Sequence, residues 1–191
     1  MIGLKDGMVI VSEYDDSWVS LFEKEKELIL KQLTEGAVSV EHIGSTSVPG
    51  LCAKPIIDIL IGIEHWSDAQ RYVQAMERCG YVFMGEYGIP FRNFFVKGNP
   101  RTHHVHMVEK NGTFRLDHLW FRNYLRCHAE EKENYAELKR RLAEKYPEDR
   151  DRYLQSKADF IQGIVRNRND DAAKPKSRNN TFGKDADKNM R

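Results

Sequence analysis

One acidic side chain, Asp58, interrupts a nearly continuous run of apolar and β-branched residues at positions 55–63. An ionised carboxylate within such a run is costly unless a cation pairs with it or the side chain reaches a cleft. Asp58 is therefore a candidate catalytic and metal-binding residue. The alternative is a structural carboxylate that pairs with an arginine or caps a turn, and the sequence leaves both interpretations open.

A glycine-serine pair, Gly44 and Ser45, precedes this run at the point where a short predicted strand ends. Glycine has no Cβ, so the backbone N–H groups of such a turn can approach an anion closely. The pattern predicts a phosphate-binding turn. The loop lacks the Gly-Lys-Ser/Thr ending of a P-loop, and a strand rather than a helix is predicted to follow it, which disfavours a nucleotide kinase.

Two histidines, His104 and His106, are two positions apart in a predicted strand, so their side chains lie on the same face of it. Imidazoles at this spacing can bind a divalent metal ion or position a phosphate. A lone His-x-His pattern is also typical of surface histidines on an edge strand, so a structural interpretation stays open.

Two cations, Arg92 and Lys97, flank aromatic residues on a predicted hairpin. Arg92 can hold a phosphate through two N–H groups, and Lys97 can neutralise it as a point charge. The alternative is an ordinary hairpin whose cations extend along its apolar surface into water.

The elements that must position these residues are predicted from hydrophobic periodicity. A first helix begins at Ser17 after two aspartates, and a second runs from Ser67 to a left-handed end at Gly80. Strands are predicted at positions 8–14, 37–43, 55–63, 81–84, 92–97 and 103–109.

The last third of the chain is rich in Leu, Ala, Glu, Lys and Arg at helical spacing. The charged pattern at 130–145 predicts a solvent-exposed helix face with i,i+4 pairs. A mixed sheet followed by consecutive helices predicts an α+β fold, in which a C-terminal helical segment covers one side of the sheet. We expect one domain over residues 1–166, with helices at 113–127, 129–145 and 147–165.

Residues 167–191 contain only two large apolar side chains, Phe182 and Met190, which predicts a disordered tail. Residues 166–191 carry eight Lys/Arg and four Asp/Glu, whereas the residues before them carry 22 basic and 25 acidic side chains. The tail is therefore basic and the body slightly acidic. Nucleic acid is not an expected partner, except weakly through the tail.

The composition of the 191 residues, 40% hydrophobic and 31% charged, predicts a soluble protein with no membrane partner. The N-terminus lacks a secretory signal, and none of the three cysteines lies in a Cys-x-x-Cys pair. We expect a cytoplasmic protein with reduced thiols and no structural zinc.

Four motifs in chain order resemble the GrpB family. They are EHIGSTSVPGL at 41–51 with KPIIDIL at 54–60, GIP-x-R-x-FF-x-KG at 88–98, HVH at 104–106 and L-x-FRNYLR at 119–126. The resemblance extends from about residue 9 to residue 165 and leaves out the tail.

The GrpB family is similar to the nucleotidyltransferase superfamily, whose members place a Gly-Ser turn before a strand with catalytic carboxylates. The resemblance implies a nucleotidyltransferase-like mixed sheet. It also implies transfer of a nucleotidyl group from a nucleoside triphosphate or related phosphorylated small molecule, assisted by Mg²⁺ or Mn²⁺. We expect Asp58 to be catalytic, Gly44, Ser45, Arg92 and Lys97 to bind the phosphates, and Asp58, His104 and His106 to hold the metal.

The chain departs from the superfamily pattern at one position. The superfamily strand reads Asp-x-Asp, whereas this chain has Leu60 two residues after Asp58. One aspartate is a poor ligand set for two Mg²⁺ ions. Either His104, His106 or an acid such as Glu109 completes the metal site, or the transfer activity is absent. The alternative function is a catalytically inactive nucleotide-binding, ligand-binding or interaction module with the same fold.

Overall fold

Two seven-residue strands pair in parallel at the centre of a mixed sheet. The computed structural model describes residues 2–33 and 38–173, with side chains described through residue 168. The strands are β1 (Ser39–Ile43), β2 (Ile57–Ile63), β3 (Val82–Phe83), β4 (Asn93–Lys97) and β5 (His103–Glu109). Their order across the sheet is β1-β2-β5-β4-β3, with β2 and β5 parallel and the other neighbours antiparallel.

The first face of the sheet is covered by two helices, α1 (Ser17–Gln32) and α2 (Val73–Arg78). Side chains alternate between the two faces of a strand, so Ile59 of β2 and Val105 of β5 lie on this face within one large buried apolar cluster. The predicted first helix is confirmed. Its start is supported by Asp15, whose Oδ1 accepts a 2.9 Å hydrogen bond from the Ser17 backbone N–H.

The second face is covered by consecutive helices, which confirms the predicted α+β fold with a C-terminal helical segment. The segment predicted as one element at 147–165 is divided at Lys157, whose N–H bonds the Leu154 carbonyl at 3.3 Å and tightens the last turn before it. The helices are α3 (Thr113–Cys127), α4 (Ala129–Lys145), α5 (Arg150–Ser156) and α6 (Ala158–Ala173).

The structure differs from the predicted boundaries at the tail, at residues 8–14 and at Ser67. Residues 167–173 are helical because α6 continues to Ala173, and residues 174–191 lie outside the described part of the chain. The strand predicted at 8–14 is wrong: Ser12 forms only an isolated bridge with Ala53. The helix predicted from Ser67 begins as a 3-10 turn before α2, and it ends as expected at Gly80, where φ is 83°.

No helix in the described ranges combines the length and apolar character required to span a membrane.

Candidate functional site

A cavity of about 240 Å³, hereafter the central cavity, lies between the second face of the sheet and the helices α3 to α6. Its wall combines polar groups from the strand ends with cations and tyrosines from the helices. Apolar side chains such as Ile43, Phe121 and Ile161 complete it. The polar lining residues used below are Gly44, Ser45, Lys54, Asp58, His106, His118, Tyr135, Lys139, Tyr153 and Lys157.

The predicted Gly-Ser turn lies directly against Asp58. Gly44 has φ 68° and ψ −175°, a backbone conformation that is essentially restricted to glycine. A Cβ at this position would lie 2.5 Å from Asp58 Oδ2. The turn continues through Ser47, whose hydroxyl donates a 2.6 Å hydrogen bond to the Gly44 carbonyl. Glycine is therefore required here both by conformation and by space.

Asp58 pairs with a histidine rather than with an arginine. The parallel register of β2 and β5 places Asp58 opposite His104, and His104 Nδ1 lies 3.2 Å from Asp58 Oδ1. Burial opposes ionisation of the carboxyl group, but the hydrogen bond from His104 and the charge of Lys54 hold the pKa of Asp58 well below its usual range. The carboxylate is therefore ionised, and its 31% exposed side chain lines the cavity.

Arg92 lies beside His106 but does not line the cavity. Its Nη1 is 3.4 Å from His106 Nδ1, and its Nη2 donates to the carbonyls of Glu86 and Tyr87 at 3.0 and 2.9 Å. The Arg92 residue is only 5% exposed. The Arg92 guanidinium thus contacts His106 and two loop carbonyls, and its predicted contact with a phosphate stays a prediction.

Lys97 lies on the opposite face of the sheet, so the structure does not bring it together with Gly44, Ser45 and Asp58 at the central cavity. Lys97 Nζ binds Glu25 Oε1 of α1 at 2.6 Å. Residues 92 and 97 differ by an odd number, and side chains separated by an odd number along a strand point to opposite faces. The sequence alone therefore contained the signal that separates Arg92 from Lys97.

The three predicted metal ligands do not form a metal site. Among residues 2–33 and 38–168, no three His, Cys, Asp or Glu side chains are placed to hold an ion together. The Nδ1 atom of His104 is hydrogen-bonded to Asp58. The positively charged guanidinium of Arg92 lies beside His106 and would repel a metal cation there. Glu109 is also engaged elsewhere, because it accepts a hydrogen bond from the Trp66 backbone. These residues do not fit Mg²⁺ or Mn²⁺.

Leu60, two residues after Asp58 in β2, where the superfamily pattern expects a second aspartate, is fully buried. It packs with Ile43 and Val108 in a small apolar cluster, and Phe114 and Leu119 of α3 cover it. The second carboxylate is thus replaced by core packing.

Sequence reasoning missed the cations of the cavity, which are three lysines. Lys157 Nζ lies 4.4 Å from the centre of the Tyr153 ring, and Lys54 Nζ lies 5.8 Å from the same ring. Lys139, which is 1% exposed, donates a hydrogen bond to the Cys52 carbonyl. Within the described ranges, none of the three forms an ion pair with a carboxylate.

Burial of these amines shifts their titration toward neutral pH. Burial, with the charges of Lys54 and Lys139, lowers the pKa of Lys157 to about 7. Burial also lowers the pKa of Lys139 to about 8. Burial and the nearby Arg150 lower the pKa of Lys54. The site thus holds three cations whose protonation an anion would favour.

A signal for one of these lysines was present in the sequence. Lys139 lies on the apolar stripe of α4 that Tyr135 and Leu142 define, at the i, i+4 and i+7 positions that face a core. The prediction of a uniformly solvent-exposed charged face at 130–145 is therefore wrong at this position. Lys54 and Lys157 gave no comparable periodic signal, because they lie outside regular elements.

Comparison with protein-family models matches residues 8–167 to the model described as GrpB protein. The chain belongs to the GrpB family. All of the residues that line the central cavity fall within the matched range.

Individual GrpB relatives match most of this chain. It is 41% identical to conserved protein GrpB from Enterococcus faecalis, whose crystal structure matches with a TM-score of 0.79 over 86% of this chain and 100% of that chain. It is 34% identical to the glutamate-rich protein GrpB of Alkalihalophilus pseudofirmus, over 86% of this chain and 98% of that protein. It is 39% identical to the UPF0157 protein YqkA of Bacillus subtilis over 81% of this chain, which spans 45% of that relative's length.

Proposed function

We propose that this GrpB-family protein binds a phosphorylated small molecule of the nucleotide class in the central cavity. The observation that supports this most is the convergence of Lys54, Lys139 and Lys157 on one cavity without a carboxylate partner in the described ranges. Buried cations are retained where an opposite charge compensates them. A phosphate group supplies that charge.

Two carboxylates also line the cavity, but each has its own partner at hydrogen-bond distance. Asp58 lies 3.2 Å from His104, and Asp117 lies 2.9 Å from Arg168, so three lysines face two carboxylates that are already engaged. The Gly44–Ser45 turn also lines the cavity, and its missing Cβ leaves room for the Asp58 carboxylate. Tyr153, between Lys54 and Lys157, offers a hydroxyl for a further hydrogen bond.

The second candidate function is transfer of a nucleotidyl group, for which Asp58 beside the Gly44 turn is the supporting observation. Its position matches the carboxylate that follows the Gly-Ser turn in the superfamily. The burial of Leu60 and the poor fit of the predicted ligands to Mg²⁺ or Mn²⁺ favour binding without metal-dependent transfer. We therefore rank the binding module, the alternative function given above, ahead of the transferase.

Binding is tested by calorimetric titration of the full chain with nucleoside triphosphates, pyrophosphate and orthophosphate in the presence of EDTA. We expect Lys157→Met to weaken binding about tenfold or more, because one charge-assisted contact is lost. Lys145→Met is the matched control, since Lys145 is exposed at the end of α4. Equal loss in both variants, or no binding of any phosphorylated probe, contradicts the proposal.

Transfer is tested by pyrophosphate release from each nucleoside triphosphate with Mg²⁺ or Mn²⁺ and a small-molecule cell extract as acceptor source. Transfer predicts release that Asp58→Asn abolishes while nucleotide binding persists. Binding without release in the parent protein supports the binding module. In that case Asp58→Asn is expected to strengthen anion binding, because it removes a negative charge from the cavity wall.

A further inference from the structure

Two neutral imidazoles face the central cavity with opposite hydrogen-bonding roles. The first is His106, whose Nδ1 is 3.4 Å from Arg92 Nη1. A guanidinium can only donate, so His106 Nδ1 accepts and the ring proton resides on Nε2. Burial, reinforced by the charge of Arg92, lowers the pKa of His106 to about 3, so the ring is neutral. His106 Nε2 is therefore a donor.

The second imidazole, His118, has the opposite tautomer. Its Nδ1 lies 2.7 Å from the Phe114 carbonyl, one helical turn away. A carbonyl can only accept, so Nδ1 carries the proton and Nε2 presents a lone pair. Stacking on Phe114, with ring centres 4.0 Å apart, holds the ring in this orientation. Burial lowers the pKa of His118. Its Nε2 is therefore an acceptor.

The two rings are close enough to act on one atom. Their centres are 6.2 Å apart, and both rings line the cavity. In the described part of the chain, neither Nε2 has a hydrogen-bond partner. One oxygen atom can lie about 2.8 Å from each of two such nitrogens.

We infer that His106 and His118 recognise a hydroxyl group of the phosphorylated ligand, which donates to His118 Nε2 and accepts from His106 Nε2–H. This inference rests on the proposed function, because the lysines hold the phosphate of the same molecule. A carbonyl or carboxylate oxygen leaves His118 without a donor, and an ammonium group leaves the His106 proton without an acceptor. The hydroxyl oxygen satisfies both. The ligand class is a phosphorylated polyol or sugar, such as the ribose phosphate of a nucleotide.

The tautomers are tested first, without ligand, by ¹⁵N NMR of the histidine rings in the full chain at neutral pH. We expect the Nε2–H form for His106 and the Nδ1–H form for His118. Identical tautomers, or a protonated ring at either position, overturn the inference. Arg92→Met tests whether Arg92 sets the tautomer of His106. In this variant His106 should populate both tautomers, whereas His118 should keep its Nδ1–H form.

The hydroxyl is tested by titration with matched probes: glycerol 3-phosphate against propyl phosphate, and adenosine monophosphate against its 2′,3′-dideoxy analogue. We expect the hydroxylated member of at least one pair to bind about tenfold more tightly. His118→Asn retains a donor for the Phe114 carbonyl but has no atom at the Nε2 position, so it should abolish the preference. His118→Gln, which places an amide oxygen near that position, should restore part of it.

The outcomes separate the inference from the function on which it rests. If the probes bind in a Lys157-dependent manner but both members of each pair bind equally, the hydroxyl inference is overturned and the proposed function stands. If no phosphorylated probe binds, the proposed function fails and the inference fails with it. A preference for the hydroxylated probe that persists in His118→Asn also overturns the assignment to His118.

Discussion

The two faces of the sheet use the same strands in different ways. The first face, under α1 and α2, is one continuous apolar cluster in which Ile59 and Val105 have no exposed surface. The second face, under α3 to α6, divides its apolar residues among several small clusters around the central cavity. Alternation along β2 and β5 therefore places a core on one side and a polar site on the other.

Polar groups on the two faces differ in whether they satisfy each other. On the first face, the buried Glu25 carboxylate binds Lys97 at 2.6 Å. On the second face, Lys54 and Lys157 share contact with an aromatic ring and have no carboxylate partner within the described ranges. Loss of one partner from a buried pair leaves the other charge uncompensated, whereas a set of cations around a cavity without carboxylate partners is available for a ligand.

The largest effect is expected from Leu60→Asp, which restores the Asp-x-Asp pattern. Leu60 packs against Ile43 and Val108 and lies outside the cavity wall, so a carboxylate there is buried without a partner. We expect the free energy of unfolding to fall by more than about 4 kcal/mol. Urea denaturation measures this. A stable variant that gains Mg²⁺ binding would show that this position belongs to the site.

Gly44→Ala is expected to cost about 2 to 4 kcal/mol, because it combines an unfavourable positive φ with a contact to Asp58. Gly85→Ala is the matched control, since Gly85 also has positive φ but a Cβ there meets nothing within 4 Å. Thermal and urea denaturation of both variants separate the steric effect from the conformational one. Equal losses in the two variants would contradict a close turn at Asp58.

The paired and unpaired lysines are compared directly by Lys97→Met and Lys157→Met. Lys97→Met leaves the buried Glu25 carboxylate unpaired, so the free energy of unfolding should fall by about 2 to 3 kcal/mol. Lys157→Met removes an uncompensated charge, so the ligand-free protein should be as stable as the parent or more stable. Denaturation in EDTA measures both. Destabilisation by Lys157→Met of the same size would show that Lys157 is paired in the fold.

The smallest effect, at most about 1.4 kcal/mol per pH unit, concerns protons. Because the pKa of Lys157 is lowered from 10.5 to about 7, the folded protein binds fewer protons than the unfolded chain between these values. The free energy of unfolding of the ligand-free protein should therefore increase as the pH rises from about 7 to 10.5 and decrease as the pH falls back toward 7. This slope should be smaller in Lys157→Met.

Ligand binding should act in the opposite sense on the same lysine. A phosphate beside Lys157 favours the charged amine, so binding at pH 8 should take up a fraction of a proton. Calorimetric titration in buffers of different ionisation enthalpy measures this uptake. The same uptake in Lys157→Met would assign the proton to another group.

Much of the architecture follows from local patterns. The period-2 alternation at 103–109 and the helical spacing at 113–127 and 129–145 predicted β5, α3 and α4 with the observed bounds. The same alternation predicted that His104 and His106 share a face. Alternation also separates Arg92 from Lys97, although the prediction placed both at one phosphate.

The positions of Asp58 among apolar residues and of Gly44 before them mark this region as unusual without coordinates. Their partners depend on the tertiary structure. The parallel register of β2 and β5 places Asp58 next to His104. The packing of α4 to α6 on the second face places Lys139 and Lys157 in the same cavity wall as Lys54. The physical reason is that periodicity reports the face on which a residue lies, whereas contacts between distant segments depend on how those faces pack.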